Sequence, residues 1–339
     1  MSFLNRLKYW RRILDAYVLR RGNSNLSFWH TKLEANRLNE SDLVSVHRYP
    51  MNFTAKTKCR TVTDSQGTVM LDYKGSLGLQ YNPNAIAQIA LGFYDLYLDT
   101  QERGDKTSES DNQKSMLTQA NWFLTHGRHC DKNIRLWEYE FNFECRETLT
   151  SPWRSALAQG QAVSVLIRAF NLTGHAPYAD AAHQGFNAFR YDCHDESCGV
   201  VCRDEEGVWL EEFILSKPNH VLNGFIWALW GVRDYAVWTQ DDYAVSLYQE
   251  SESTLARNLS IYDLGFWTCY DDTRKVGGPI MPASPYYHNL HMVQVEAMYR
   301  LTGKDVYRAT LDRWSAYNSK PHYKWAAFAW KCWFKVRHW

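Results

Sequence analysis

Four prolines recur along the 339-residue chain at separations of 69, 66 and 67 residues, and each heads an amphipathic helical run. The runs are NPNAIAQIALGFYDLY around Pro83, SPWRSALAQGQAVSVLIRAF around Pro152, KPNHVLNGFIWALWGVRDY around Pro218 and SPYYHNLHMVQVEAMYRL around Pro285. Proline suits the first helical position, where its missing N–H would be unpaired anyway. Ser151 and Ser284 are the expected N-caps. Each run ends in a similar turn, LDT at 98–100, LTG at 172–174, WTQ at 238–240 and LTG at 301–303. A second helical run follows each turn, as in KSMLTQANWFLTHG, PYADAAHQGFNAFRY and KDVYRATLDRWSAYN. A helical hairpin that recurs at a fixed period buries its apolar face against its own copies. The pattern therefore predicts a mainly α protein, an α/α toroid of about four helical hairpins with the first helix of each pair inside. The Ala and Gly of the first helices suit crowding at an axis.

Short strand-like stretches lie between the hairpins. GVVCRDEEGVWLEEF (199–213) predicts a β-hairpin turning at Asp204–Gly207, and LGFWTCYDDTRK (264–275) predicts another. Residues 40–80 read as irregular β structure. The expected organisation is an N-terminal helix and β-rich segment (1–80), an α/α-toroid domain (81–318) and a basic aromatic C-terminal tail (319–339).

The composition narrows the function. A net charge of +1 gives no global argument for nucleic acid. Aromatics make up 15% of the chain, which serves core packing and equally serves sugar recognition. There is no GxGxxG after a strand and no P-loop, hence no sign of a nicotinamide or nucleotide cofactor. The N-terminus lacks a secretory pattern, which leads to a cytoplasmic expectation. Phe3, Leu7, Trp10, Leu14 and Tyr17 share one helical face, with Arg6, Arg11, Arg12, Arg20 and Arg21 elsewhere. The C-terminal FAWKCWFKVRHW is also basic and aromatic. Either end is able to touch an anionic membrane surface, at the inner membrane, or to pack on the domain. The eight cysteines form no CxxC pair and are expected as free thiols. The spacing of Cys193, His194, Cys198 and Cys202 fits no common zinc pattern, and no metal is expected.

If the four prolines are equivalent, all four inner helices start at one end and their N-termini ring one opening. Helix N-termini carry partial positive charge and free N–H groups, which suits an anionic ligand such as a sugar carboxylate. Glu211, Glu212, Tyr270, Tyr286 and Tyr287 fall at this end.

LAQGQAVSVLIRAFNLTG, WLEEF…HVLNGFIWALWG, YDLGFWTCYD and YYHNLHMVQ together resemble the D-glucuronyl C5-epimerase family, in the family's order, over roughly residues 80–310. The resemblance implies an α/α toroid and inversion of C5 of glucuronic acid to iduronic acid within an anionic, heparosan-like polysaccharide. It also implies catalytic residues at Glu212, Tyr287 and Tyr270. C5–H abstraction next to a carboxylate requires proton-transfer groups on both faces of the ring and donors or positive charge on the carboxylate. Candidate substrate contacts are Glu211, Tyr286, Asn223, Gln159, Gln161 and Gln88, with interhelical hydrogen bonding the other reading for the inner-helix amides. Gln88 and Asn223 each stand five residues after a proline. Tyr81 and Trp153 are candidate stacking platforms or core residues, and Arg274 a candidate partner of the carboxylate. His288 and His291 share a helix face; core hydrogen bonding, orientation of substrate or Tyr287, and metal binding are the alternatives, with no third ligand evident. The family's Glu-Glu-Tyr-Pro reads Glu-Glu-Phe-Ile here, so a hydroxyl is missing at Phe213. A uronan lyase sharing the abstraction step and a non-catalytic polysaccharide-binding homologue are the rival functions. A homodimer is allowed by analogy with related toroid enzymes.

Overall fold

The computed structural model describes residues 28–32, 34–194 and 198–338. The basic aromatic N-terminal face lies outside these residues. Four helical hairpins follow one another: α1 (Pro83–Arg103) with α2 (Lys106–Thr125), α3 (Ala156–Thr173) with α4 (Ala176–Phe186), α5 (Leu222–Thr239) with α6 (Asp242–Asn258), and α7 (Pro285–Thr302) with α8 (Asp305–Asn318). The protein is mainly α, an α/α toroid with small antiparallel β elements between the hairpins. The first helix of each pair is inside, and α1, α3, α5 and α7 touch in that order. The side between α7 and α1 is filled by residues 34–57. There a ribbon of Glu34–Ala35 and Met51–Asn52 packs on α7, and the short helix Thr54–Thr57 packs on α1.

Side-chain size sets the inner ring. A Cβ at Gly231 would lie 2.3 Å from the carbonyl oxygen of Gly160, and one at Gly160 would lie 2.9 Å from that of Ala228. Glycine at both positions lets α3 and α5 approach to backbone contact. Around this seam the core buries Trp137, Trp209, Trp230, Trp267 and Trp314 almost completely. Much of the aromatic excess is thus core.

The repeat holds, but its prolines are not equivalent. Pro83 and Pro285 open their helices as expected, and Ser284 caps α7 by accepting from Tyr287 N–H. Pro152 and Pro218 stand four residues ahead of α3 and α5. The intervening residues are drawn into other bonds: Trp153 exchanges two backbone hydrogen bonds with Tyr139, and the Asn219 carbonyl accepts from Asp272. Ser155, not Ser151, precedes α3, and its side chain makes no cap bond. Three inner helices stop at left-handed residues, Gly174, Gln240 and Gly303, where the turn motifs were expected. α1 runs through LDT to Gly104.

The hairpin Val201–Asp204/Gly207–Leu210 forms as expected. Residues 264–275 do not form a second one. They make the single bridges Asp263↔Thr268 and Cys269↔Pro282, followed by the short helix Thr273–Val276. The C-terminal tail is a helix, α9 (Pro321–His338). No helix among the described residues is long and apolar enough to cross a membrane. The expectation of eight free thiols is corrected by a disulfide between Cys130 and Cys198.

Candidate active site

The N-termini of the inner helices surround a cavity of about 420 Å³. Asn82 and Asn84 come from the start of α1, Trp153 from the approach to α3, Asn223 from the start of α5, and Ser284, Pro285, Tyr286 and Tyr287 from the start of α7. Residues of the N-terminal segment and of α9 close the remaining sides, through Trp29, Lys56, Phe328, Lys331 and Cys332. Lys331 also donates to the Pro282 carbonyl at 2.8 Å.

Glu212 stands two residues beyond the strand Gly207–Leu210. In extended chain, neighbouring side chains diverge, and the two glutamates separate accordingly. Glu212 enters the cavity. Glu211 turns into the protein and bonds Nδ1 of His220. His220 reaches Asp204 at 3.2 Å through Nε2, and Asp204 pairs with Lys275 at 2.5 Å. Burial works against charge on His220, but Glu211 and Asp204 outweigh it and raise its pKa. Glu211 is therefore a buried ion-pair partner, not a substrate contact.

Gly224 makes room for Glu212. A Cβ there would stand 2.4 Å from the glutamate's Cβ and Oε2. The only side-chain donor to the carboxyl among the described residues is Asn223 Nδ2, at a long 3.4 Å. Burial, and then the charge of Glu211, push the Glu212 pKa up to about 8, while the Asn223 bond opposes the shift.

Tyr270 and Tyr287 meet edge to face, with ring centroids 5.0 Å apart. Burial, and then the charge of Glu212, raise the Tyr270 pKa well above its ordinary value, so its hydroxyl stays a donor. Tyr286 packs at 5.6 Å on Tyr287 and at 4.6 Å on His30. Trp153 stacks flat on Tyr139 at 3.9 Å, and Phe213 lies against Phe143 at 5.7 Å. These rings, with Phe141 and Trp227, make an aromatic wall.

Several expected substrate contacts lie elsewhere. Gln88 donates to Asn84 at 3.1 Å and to Gln161 at 3.2 Å, and Gln161 donates to the Tyr49 hydroxyl at 3.3 Å. The two glutamines form a polar seam between α1 and α3. Gln159 donates to the carbonyls of Arg135 and Gly185 and is wholly used in holding the chain. Tyr81 donates to Asp64 at 2.7 Å, outside the cavity. Arg274 is bound to Asp272 and Glu206 on the surface. His288 and His291 share the Thr268 hydroxyl, at 2.9 and 3.2 Å, and His288 stacks on Trp267 at 3.8 Å. Burial lowers their pKa values to about 4 and about 3, so both are neutral core residues.

The sequence reading missed Lys56, Tyr73, Asn84 and Tyr139. Asn84 is the second residue of α1, as Asn223 is of α5. Gln88, which matches Asn223 when counted from the prolines, lies one turn deeper because Pro83 opens α1 whereas Pro218 precedes α5 by four residues. Lys56 is 2% exposed and reaches the cavity from the short helix Thr54–Thr57. It donates to the Phe28 carbonyl at 2.8 Å and sits 4.2 Å over the Phe28 ring. Among the described residues no carboxylate pairs with it, and burial lowers its pKa to about 7. Tyr73 accepts from Asn82 at 2.7 Å, and burial pushes its pKa up to about 12.

The cavity thus combines an unpaired carboxyl, a buried amine, phenol donors and apolar rings. That set can move a proton at carbon beside an anionic group. Three comparisons bear on it. A family model described as the D-glucuronyl C5-epimerase C-terminus matches residues 131–316. A D-glucuronyl C5-epimerase of Caenorhabditis elegans is 28% identical over 187 residues, 51% of this chain and 30% of that protein. An uncharacterized protein of Methanocaldococcus jannaschii is 25% identical over 285 residues, covering 81% of this chain and 88% of that one. Among solved structures, cellobiose 2-epimerase from Spirochaeta thermophila superimposes with a TM-score of 0.47 at 12% identity, over 90% of this chain and 84% of that one.

Proposed function

The chain belongs to the family of the D-glucuronyl C5-epimerase C-terminus, and from that premise we propose that it converts D-glucuronic acid to L-iduronic acid residues in a heparosan-like polysaccharide. One observation carries the reading. Glu212, raised to about 8, and the Tyr270–Tyr287 pair line the same cavity.

In this reading Glu212 takes the C5 proton from one face of the uronate ring. The C5–H electron pair moves into the carboxylate as an enediolate, and Tyr287 returns a proton to the opposite face. The reverse reaction exchanges the two roles. A base with a pKa near the working pH keeps both protonation states within reach. Tyr270, held protonated, donates to the developing oxyanion. Lys56 supplies the cation for the carboxylate. Its desolvation is offset when an anion enters, which raises its pKa again. Trp153, half-buried on the cavity wall and backed by Tyr139, suits the apolar face of a sugar ring.

The test is incubation with heparosan, followed by NMR of the uronate signals and ultraviolet absorbance. Iduronate signals without unsaturated uronate support the epimerase. Unsaturated chain ends identify the lyase. Binding without either product identifies a non-catalytic polysaccharide-binding protein.

A further inference from the structure

We propose that Cys193, His194 and Cys202 bind a soft divalent cation of the zinc class, at a site separate from the cavity. The Cys193 and Cys202 thiols and a His194 ring nitrogen all lie within 4.8 Å of one another. The Cys202 thiol is 3.9 Å from His194 Nε2. Tetrahedral zinc, with Zn–S near 2.3 Å and Zn–N near 2.0–2.1 Å, separates its sulfur and nitrogen ligands by about 3.6 Å. The observed spacing needs only a small inward movement to fit.

The backbone holds this arrangement before any metal arrives. Cys193 N–H donates to the Val201 carbonyl at 2.7 Å, which fixes it beside Cys202 on the strand Val201–Asp204. Arg154 donates to the carbonyls of Cys193 and Gly199, each at 2.8 Å, and clamps the two ends of the loop. His194 N–H donates to Asp192 at 2.9 Å. Both thiols are buried while His194 is exposed.

The charge balance favours the ion. Binding releases two thiol protons, and two thiolates neutralise one divalent cation, so a buried site needs no further counter-ion. The second metal-like cluster, Asp204, Glu206 and His220, is different because Lys275 already occupies its carboxylates. None of Cys193, His194 and Cys202 lines the cavity. The ion would hold the strand Val201–Asp204 against the preceding loop, on the hairpin that leads into Glu211 and Glu212. Local sequence hid the site, because neighbouring Cys193 and His194 with Cys202 eight residues on match no familiar finger spacing.

The test is elemental analysis of the full chain purified without a metal-affinity tag, followed by chelation, zinc titration and cobalt substitution. The site predicts one zinc per chain and a zinc-dependent rise in the melting temperature of the chelated protein. Cobalt should give a near-ultraviolet thiolate-to-cobalt charge-transfer band. Cys202→Ser should lose that band, and Cys59→Ser should keep it. His194→Gln, on an exposed side chain, should weaken zinc by about tenfold or more while the chelated form melts as the unsubstituted one does. Sub-stoichiometric metal with no zinc-dependent melting shift overturns the proposal. So does a Cys193–Cys202 disulfide found by peptide mapping of the non-reduced chain, because those thiols would then be unable to bind the ion.

Discussion

The two ends of the inner helix ring treat buried charge in opposite ways. Asp95, Arg168 and Asp234 are each the thirteenth residue of their helices, α1, α3 and α5, about 18 Å from the N-terminal rim. There Arg168 binds Asp234 at 2.6 Å, with both side chains fully buried, and donates to the His47 carbonyl at 3.1 Å. Asp95 accepts from Asn36 and from Phe53 N–H. Arg233 donates to the carbonyls of Asp42 and Leu43. The segment 34–57 closes this end with hydrogen bonds to its polar groups, though burial still raises the Asp95 pKa to about 7. At the rim, Glu212 has one long hydrogen bond and Lys56 has no acidic partner among the described residues. Removing one partner of a buried ion pair strands the other charge, whereas an unpaired, pKa-shifted group in a cleft marks a candidate functional site.

This contrast is open to attack from both sides. The largest expected effect is on turnover. Glu212→Gln should lower kcat by about 10²–10⁴-fold, the usual span for a lost general base, measured by NMR of iduronate formation. Its folded-state pKa is raised, so ionisation of Glu212 costs stability as pH rises from the ordinary carboxylate range to about 8. The variant should therefore be as stable as the parent at low pH and more stable above pH 8. A variant that melts early would make Glu212 a structural residue.

At the closed end the outcome reverses. Arg168→Met leaves Asp234 buried and without its main partner and should cost about 3–5 kcal/mol in denaturant unfolding. Residual folded protein should keep its kcat. Unchanged stability would remove the distinction between the two ends.

Lys56→Met should raise KM by roughly 10–100-fold, the value of a hydrogen bond to a charged group, and should affect kcat less. The free protein adds a pH signature. Activity requires Glu212 ionised, at about 8, and Lys56 protonated, at about 7. The profile of kcat/KM should be a narrow bell between those values. Lys56→Arg should extend its alkaline side. An unaltered alkaline limb would assign that limb to another group.

The smallest effect is expected at Phe213. Phe213→Tyr should raise kcat/KM by about two- to tenfold, from one added hydrogen bond of about 0.5–1.5 kcal/mol. No change or a loss would mean that the aromatic wall of Phe143, Trp153 and Phe213 has no use for the hydroxyl.

The rim was legible in the sequence where chemistry and repeat coincide. Tyr287 sits in the first turn of α7 because Pro285 and Ser284 fix that start, and the expected proximity of Glu212, Tyr270 and Tyr287 follows from the shared end of parallel helices. Lys56 was not legible because the segment bearing it belongs to no repeat and reaches the cavity through contacts far apart in sequence. Asn84 was lost to a register error, since Pro152 and Pro218 stand outside their helices. The Glu211–Glu212 pair offered two identical residues, and only the fold shows that His220 takes the first. The histidine pair in α7 carried a metal-like spacing that burial under Trp267 turns into core.

C5 proton exchange at the rim can be followed by deuterium labelling. Heparosan incubated with the protein in D2O should gain deuterium at C5 of its uronate residues while chain length stays constant. A polymer that binds the protein and gains no deuterium, or one that gains it only as unsaturated chain ends form, would mean that the rim does not epimerise C5.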